Sequence, residues 1–260
     1  MTIHNFESAL TAAYREAPCA VLPNPLWRAL RHLADFTTAY SQREGQVNAL
    51  EAQNAEGLYI YWTRADRRAG YMMRRKLDDT RFAIVHQDYL EPDVVAGFVG
   101  RQARFRLQHT AEATAPTLPD GLSWAAADPA QADTIAAFIA RCDPTFQPAA
   151  ETVRTWTAEA AFAPDLWLWL KDAQGEPIGL AYAERDPALP ESALEGVYVR
   201  PDWRKRGLGR ALVTEVVRRA KASGTALVTV AGAVEDRDNP GAFFRHCGFS
   251  GRDVWWYLSR

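Results

Sequence analysis

The chain has 260 residues, 48% of them hydrophobic and 24% charged, at a formal net charge of -2. That apolar content excludes a disordered chain and supports core enough for about two domains. The near-neutral balance excludes the overall basic field expected of a nucleic-acid binder.

Three cysteines, Cys19, Cys142 and Cys247, stand without pair spacing, which suits a reducing cytoplasm better than a disulfide framework. His4, His32, His86, His109 and His246 are isolated, so no metal site is expected. No apolar run approaches a membrane span, and the start MTIHNFESAL lacks a charged region followed by an apolar one. The expectation is a soluble cytoplasmic protein that contacts neither membrane nor nucleic acid.

In chain order, apolar spacing predicts helices over Phe6–Ala13 and Leu26–Tyr40, and strands over Gly57–Thr63, Arg81–Val85 and Ala103–Gln108. Arg67-x-x-Gly70 is half of a glycine-rich phosphate motif, with Met72 where a second glycine would stand. Residues 111–121, rich in small residues, proline and glycine, are expected to link an α/β domain over 1–110 to a second domain over 122–260.

The second part is more sharply patterned. A strand is predicted over Gly121–Ala127, and Asp128-Pro129 opens a helix carrying Ile135, Ala136, Phe138 and Ile139. A second helix is expected from Ala149 to Phe162. Strands follow at Leu166–Leu170 and Ile178–Ala183, joined by the turn-rich Asp172–Pro177, and then at Glu195–Val199. Leu208, Leu212, Val213, Val216, Val217 and Ala220 mark the buried stripe of the next helix. Arg210, Thr214, Arg218 and Lys221 face water, with Glu215 and Arg219 paired on the exposed side. Ser223-Gly224 ends that helix, Ala226–Val230 is a buried strand, Asn239-Pro240 opens a short helix, and Val254–Leu258 is a last strand.

The junction at Val199 carries the chemistry. Pro201 ends the strand, Arg204, Lys205 and Arg206 supply three cations, and Gly207 and Gly209 bare the helix start, where N–H groups lack intrahelical acceptors. Cations, bare amides and the helix dipole together suit a diphosphate. G-x-x-x-x-G-K-[ST] is absent, and Leu212 stands where a dinucleotide fingerprint needs its third glycine.

Val199-x-Pro201 followed by Arg204-x-x-Gly207-x-Gly209 resembles the pyrophosphate loop of the GNAT superfamily of N-acetyltransferases. The order β-α-α-β-β-β-α-β-α-β over residues 120 to 260 is similar to that family's fold, and the tail FFRHCGF to its F-Y-x-x-x-G-F ending. The resemblance implies an α/β (α+β) fold with a mixed central sheet flanked by helices. It implies acetyl-CoA as acyl donor, its arm along Val197, Tyr198 and Val199 and its pyrophosphate on Arg204, Lys205, Arg206, Gly207, Leu208, Gly209 and Arg210. Asn239 either reaches the arm or caps the helix begun at Pro240. Phe244 departs from the pattern, because a phenyl ring cannot donate the proton that a tyrosine there gives to the departing thiolate.

Gly196 marks a bulge or close approach in the strand, and the resemblance makes its neighbour Glu195 the general base, with a strand-edge glutamate as the alternative. Tyr198 is a further candidate acid or a packing residue. The acceptor is a primary amine of a small molecule or a protein. A non-catalytic acyl-CoA sensor with the same fold is the second functional class. Residues 1–110 are either a degenerate second copy of the fold or an unrelated cap, and a homodimer is left open.

Overall fold

The computed structural model describes residues 3–64, 73, 76, 77, 80–236 and 238–260, so Arg67, Gly70 and Met72 lie outside the described residues. The elements in chain order begin with helices α1 (Ile3–Glu16), α2 (Pro18–Val21) and α3 (Leu26–Leu30) and strands β1 (Thr37–Arg43), β2 (Gln46–Gln53), β3 (Gly57–Thr63) and β4 (Phe82–His86). Helix α4 (Pro92–Ala96), strands β5 (Gly100–His109) and β6 (Ser123–Ala126), and helices α5 (Ala132–Cys142) and α6 (Ala150–Ala158) follow. Strands β7 (Phe162–Lys171), β8 (Pro177–Arg185) and β9 (Glu191–Val199), helix α7 (Leu208–Ala222), β10 (Leu227–Ala233), α8 (Pro240–His246) and β11 (Ser250–Ser259) complete the chain. No helix among the described residues is long and apolar enough to cross a membrane.

Two compact units form, and neither is continuous in sequence. The first comprises Met1–Leu107, Ala231–Arg245 and Ser250–Arg260; the second comprises Gln108–Val230 and His246–Phe249. This differs from a chain-order division into 1–110, 111–121 and 122–260, because the last strand belongs to the first unit.

In the first unit the strands run in the order β1-β2-β3-β4-β11-β5. β1, β2 and β3 are antiparallel, β3 and β4 parallel, and β11 antiparallel to β4 with Trp255 opposite His86. The helix expected over Leu26–Tyr40 is corrected: it ends at Leu30, and Thr37–Arg43 is a strand. The β-branched and aromatic residues Thr37, Thr38 and Tyr40 fit a pleated sheet, and Glu44 (φ 54) and Gly45 (φ 79) make a two-residue left-handed turn that pairs Arg43 with Gln46. Leu58, Met73, Leu77, Ala83, Val85, Tyr89 and Leu258 form one core. Arg106, 1% exposed, holds the N-terminal helices, donating to the carbonyls of Pro18, Leu22 and Asn24 and to the Tyr14 hydroxyl. Trp255 is buried here, and its indole N–H donates to the Cys19 carbonyl at 2.8 Å.

The second unit orders its strands β10-β9-β8-β7-β6, antiparallel from β6 to β9 and parallel between β9 and β10. Alternation divides its faces. Trp167, Trp169, Leu180 and Tyr182 pack with Ile135, Phe138, Ile139 and Val153 of α5 and α6. Gly179 points to the other face, where an added Cβ would lie 2.9 Å from Leu212 of α7. Glu215 is corrected from an exposed position to a buried one: its carboxylate accepts from Arg218 at 2.8 Å and from Arg219 at 2.7 Å. Burial raises its pKa, but these arginine hydrogen bonds outweigh that and leave it lowered.

The two units repeat one plan. Antiparallel pairings, two in the first unit and three in the second, lead to a strand that runs parallel to the next, and parallel pairing stops one residue before a bulge. In β3 pairing with β4 stops at Leu58, and Tyr59 is the extra residue between Gln53↔Leu58 and Ala52↔Ile60. In β9 pairing with β10 stops at Leu194, and Glu195 is the extra residue between Ala183↔Leu194 and Tyr182↔Gly196.

Candidate active site

Beyond Leu194, no strand among the described residues pairs with β9 on the side that β10 leaves. The Arg200 N–H donates to the Ile178 carbonyl at 2.9 Å, which fixes the alternation of the antiparallel ladder with β8. Tyr198 and Gly196 therefore turn their backbone groups toward β8, and Val197 and Val199 turn theirs into the gap. The open edge is a short template for one more extended chain. Arg204 takes part of it, its Nε donating to the Val199 carbonyl at 3.1 Å and its Nη2 to the Cys142 carbonyl at the end of α5.

Between the strand and α7 the chain turns tightly, with Lys205 at φ 61 and Gly207 at φ 79. Gly207 precedes Leu208 as N-cap and gives the helix no side-chain cap. The first intrahelical bond runs from the Ala211 N–H to the Gly207 carbonyl at 3.1 Å, so the amides of Leu208, Gly209 and Arg210 have no acceptor within α7. The four cations differ in commitment. Arg204 holds carbonyls, while Arg206 lies 4.8 Å over the Trp203 ring and donates to the Asp202 carbonyl at 3.1 Å. Lys205 and Arg210 are exposed and make no hydrogen bond or ion pair among the described residues. Upstream, Arg200 grips Asp202 through two hydrogen bonds of 2.8 and 2.9 Å, which holds the Asp202 carboxyl below its ordinary value.

Glu195 sits at the bulge and Gly196 makes the close approach: a Cβ there would lie 2.4 Å from the Tyr182 ring and 2.7 Å from the Tyr198 ring. Burial raises the pKa of both tyrosines. The two hydroxyls interact with each other, and the charges of Asp143 and Glu195 further oppose ionisation of Tyr198. Tyr198 is thus held as a protonated hydroxyl. Burial also pushes the Cys142 and Cys247 thiols up to about 11, so neither is a thiolate at neutral pH.

Three aromatic neighbours carried no distinguishing signal in the sequence: Phe146, Trp156 and Tyr182. Tyr182 stacks on Trp167 at 4.5 Å, on Trp156 at 5.8 Å and on Tyr198 at 6.3 Å, and Phe146 stacks on Trp156 at 6.2 Å. The indole N–H of Trp167 is buried without an acceptor among the described residues.

Two further candidates belong to the first unit. Asn239 belongs to the first unit, and its side chain accepts from the Ala242 N–H at 3.2 Å, which is the capping alternative. Phe244 is also in the first unit, 6.3 Å from Phe105 and 5.1 Å from Phe243. At the first unit's counterpart of the open edge Thr63 is occupied: the Tyr89 hydroxyl accepts from the Thr63 N–H at 3.0 Å and donates to the Thr63 carbonyl at 3.1 Å.

Residues 132–249 match the model of the acetyltransferase (GNAT) family. The chain is similar in fold to a GCN5-related N-acetyltransferase from Sphaerobacter thermophilus, with a TM-score of 0.68 at 17% identity over 99% of this chain and 93% of that one. A GNAT-family acetyltransferase from Colwellia psychrerythraea gives 0.65 at 11% identity over 98% and 96%. A tandem GNAT protein from the clavulanic acid biosynthesis pathway gives 0.60 at 16% identity over 99% and 94%. No curated protein sequence matches the chain.

Proposed function

Taking residues 132–249 as a GNAT acetyltransferase domain, we propose that the protein transfers an acetyl group from acetyl-CoA to a primary amine by direct attack. The carrying observation is the open edge of β9 running into the uncapped start of α7. Val197 and the Val199 N–H offer backbone groups to the coenzyme's extended arm, and the amides of Gly207, Leu208, Gly209 and Arg210 face its pyrophosphate. Lys205 and Arg210 contribute uncommitted charge. Arg204 and Arg206 shape the loop, and Arg206 keeps donors beyond the one it gives to Asp202.

Bound acetyl-CoA supplies the activated acyl group; the protein's task is to orient the amine and move protons. Glu195, raised from the ladder by the bulge, accepts the proton of the amine. Tyr198, kept protonated by burial, is the donor for the departing thiolate, a role that Phe244 cannot take. Cys142 and Cys247, kept protonated by burial, offer no thiolate for a covalent route, which favours direct transfer.

The first unit is read as a degenerate second copy, with Tyr89 occupying Thr63 on the corresponding edge and Asn239 as a helix cap. Three free cysteines, two of them buried, support a reducing cytoplasm as its location. Steady release of coenzyme A thiol from acetyl-CoA with a panel of primary amines tests the reading. Tight acetyl-CoA binding with no amine-dependent release would instead favour an acyl-CoA sensor.

A further inference from the structure

We infer that Phe146 and Trp156 form a ring-binding step of the acceptor site, so that the preferred acceptor is a primary amine carrying a flat aromatic group; this rests on the acetyl transfer proposed above. Phe146, Trp156, Tyr182 and Tyr198 make a staircase whose successive planes differ by 19°, 21° and 18°. Carbon atoms in contact sit about 3.5–4 Å apart. Centroid separations of 5.8 to 6.3 Å therefore require each ring to be displaced sideways by about 4–5 Å relative to the next. Each ring covers only the margin of its neighbour; Tyr182 is buried, so the faces left for another flat ring are those of Phe146 and the half-buried Trp156. The Trp167 and Tyr182 pair, at 4.5 Å, has no such opening.

The two ends of the staircase differ in chemistry. Its inner end is the reacting end, where Tyr182 and Tyr198 lie against Gly196 and the Glu195 charge acts on both. Its outer end reaches solvent. Phe146 is 42% exposed, and of the described large hydrophobic residues left exposed, Val99, Phe146 and Val234, it is the one in the second unit.

The loop that presents Phe146 is held in place. Asp143 Oδ1 accepts from the Thr145 N–H at 2.9 Å and the Thr145 hydroxyl at 2.6 Å, and the Gln147 amide donates to the Pro144 carbonyl at 2.9 Å. The Asp143 carboxylate, whose charge reaches Tyr198, joins Glu195 in favouring a cationic amine at the inner end. An ammonium at the carboxylates and a ring on Trp156 and Phe146 describe one molecule, an amine separated from an aromatic ring by a short linker.

The test compares kcat/KM for 2-phenylethylamine and hexylamine, with acetyl-CoA binding and amine binding measured separately by calorimetry. The expected preference for 2-phenylethylamine is about tenfold or more, and Phe146→Ala and Trp156→Ala should each reduce the ratio several-fold while Trp156→Phe restores it. Phe146→Ala alters an exposed side chain, so it remains informative if Trp156→Ala does not fold. Equal kcat/KM for the two amines, or variants that leave the ratio unchanged, would overturn the inference while acetyl transfer stands. If acetyl-CoA does not bind, the functional reading fails separately. Calorimetry with the two amines then decides this inference, which requires tighter binding of 2-phenylethylamine and its loss in Phe146→Ala; equal amine affinities overturn it.

Discussion

Gly196→Ala tests the packing that holds the two catalytic candidates. The new Cβ would stand 2.4 and 2.7 Å from Tyr182 ring carbons and 2.7 Å from a Tyr198 ring carbon. Ordinary carbon contact is about 3.5–4 Å, so both rings must withdraw by roughly 1 Å. Tyr182 has little room to do so, being 6% exposed and backed by Trp167 at 4.5 Å. Overpacking of this kind costs about 1–3 kcal/mol. A misplacement of about 1 Å at a reacting centre lowers turnover by as much as a hundredfold. The expected outcome is a lower urea midpoint and a kcat reduced ten- to a hundredfold, roughly as that range allows, with acetyl-CoA affinity little changed. Native stability together with native kcat would refute the role given to the close approach.

Other consequences are open to measurement. Glu195→Gln should lower kcat by about a hundredfold and remove the acidic limb of the pH profile while coenzyme affinity persists; an unchanged profile would assign Glu195 to structure. Arg106→Met removes the guanidinium's hydrogen bonds to the Leu22 and Asn24 carbonyls and the Tyr14 hydroxyl and one of two to the Pro18 carbonyl, so chemical denaturation should show a loss of about 3 kcal/mol. Glu215 has a lowered pKa in the folded state. Its stabilising contribution is present above the ordinary carboxylate pKa and is lost as pH falls through the folded value, so Glu215→Gln should flatten the acid side of the stability profile. An acid slope equal to that of the parent would place the effect elsewhere.

The order of elements after residue 120 was legible because each has a local cause: an Asp-Pro helix start, a 3.6-residue apolar stripe in α7, a glycine-rich stop. The candidate cradle was legible for the same reason, since cations, glycines and a helix start fall within seven consecutive residues, Arg204–Arg210. What escaped depends on distant partners. Thr37–Arg43 became a strand through pairing with β2, although Gly45 was a usable turn signal. The placement of β11 beside β4 and the burial of Glu215 follow from tertiary packing that no local pattern encodes. The bulge was foreseen at Gly196, but only the register shows that Glu195 is the inserted residue. Phe146, Trp156 and Tyr182 are dispersed over 37 positions of sequence and meet only through the fold of α6 against β8.

The central claim is that the edge of β9 and the start of α7 together bind one coenzyme. Calorimetric titration of the full chain with acetyl-CoA tests it most directly, alongside Gly209→Asp, which sets a side chain and a negative charge against the bare amides. The account predicts one molecule bound per chain, because Tyr89 occupies Thr63 on the corresponding edge in the first unit, and loss of that binding in Gly209→Asp. Two molecules per chain, or equal affinity in the two proteins, would contradict it.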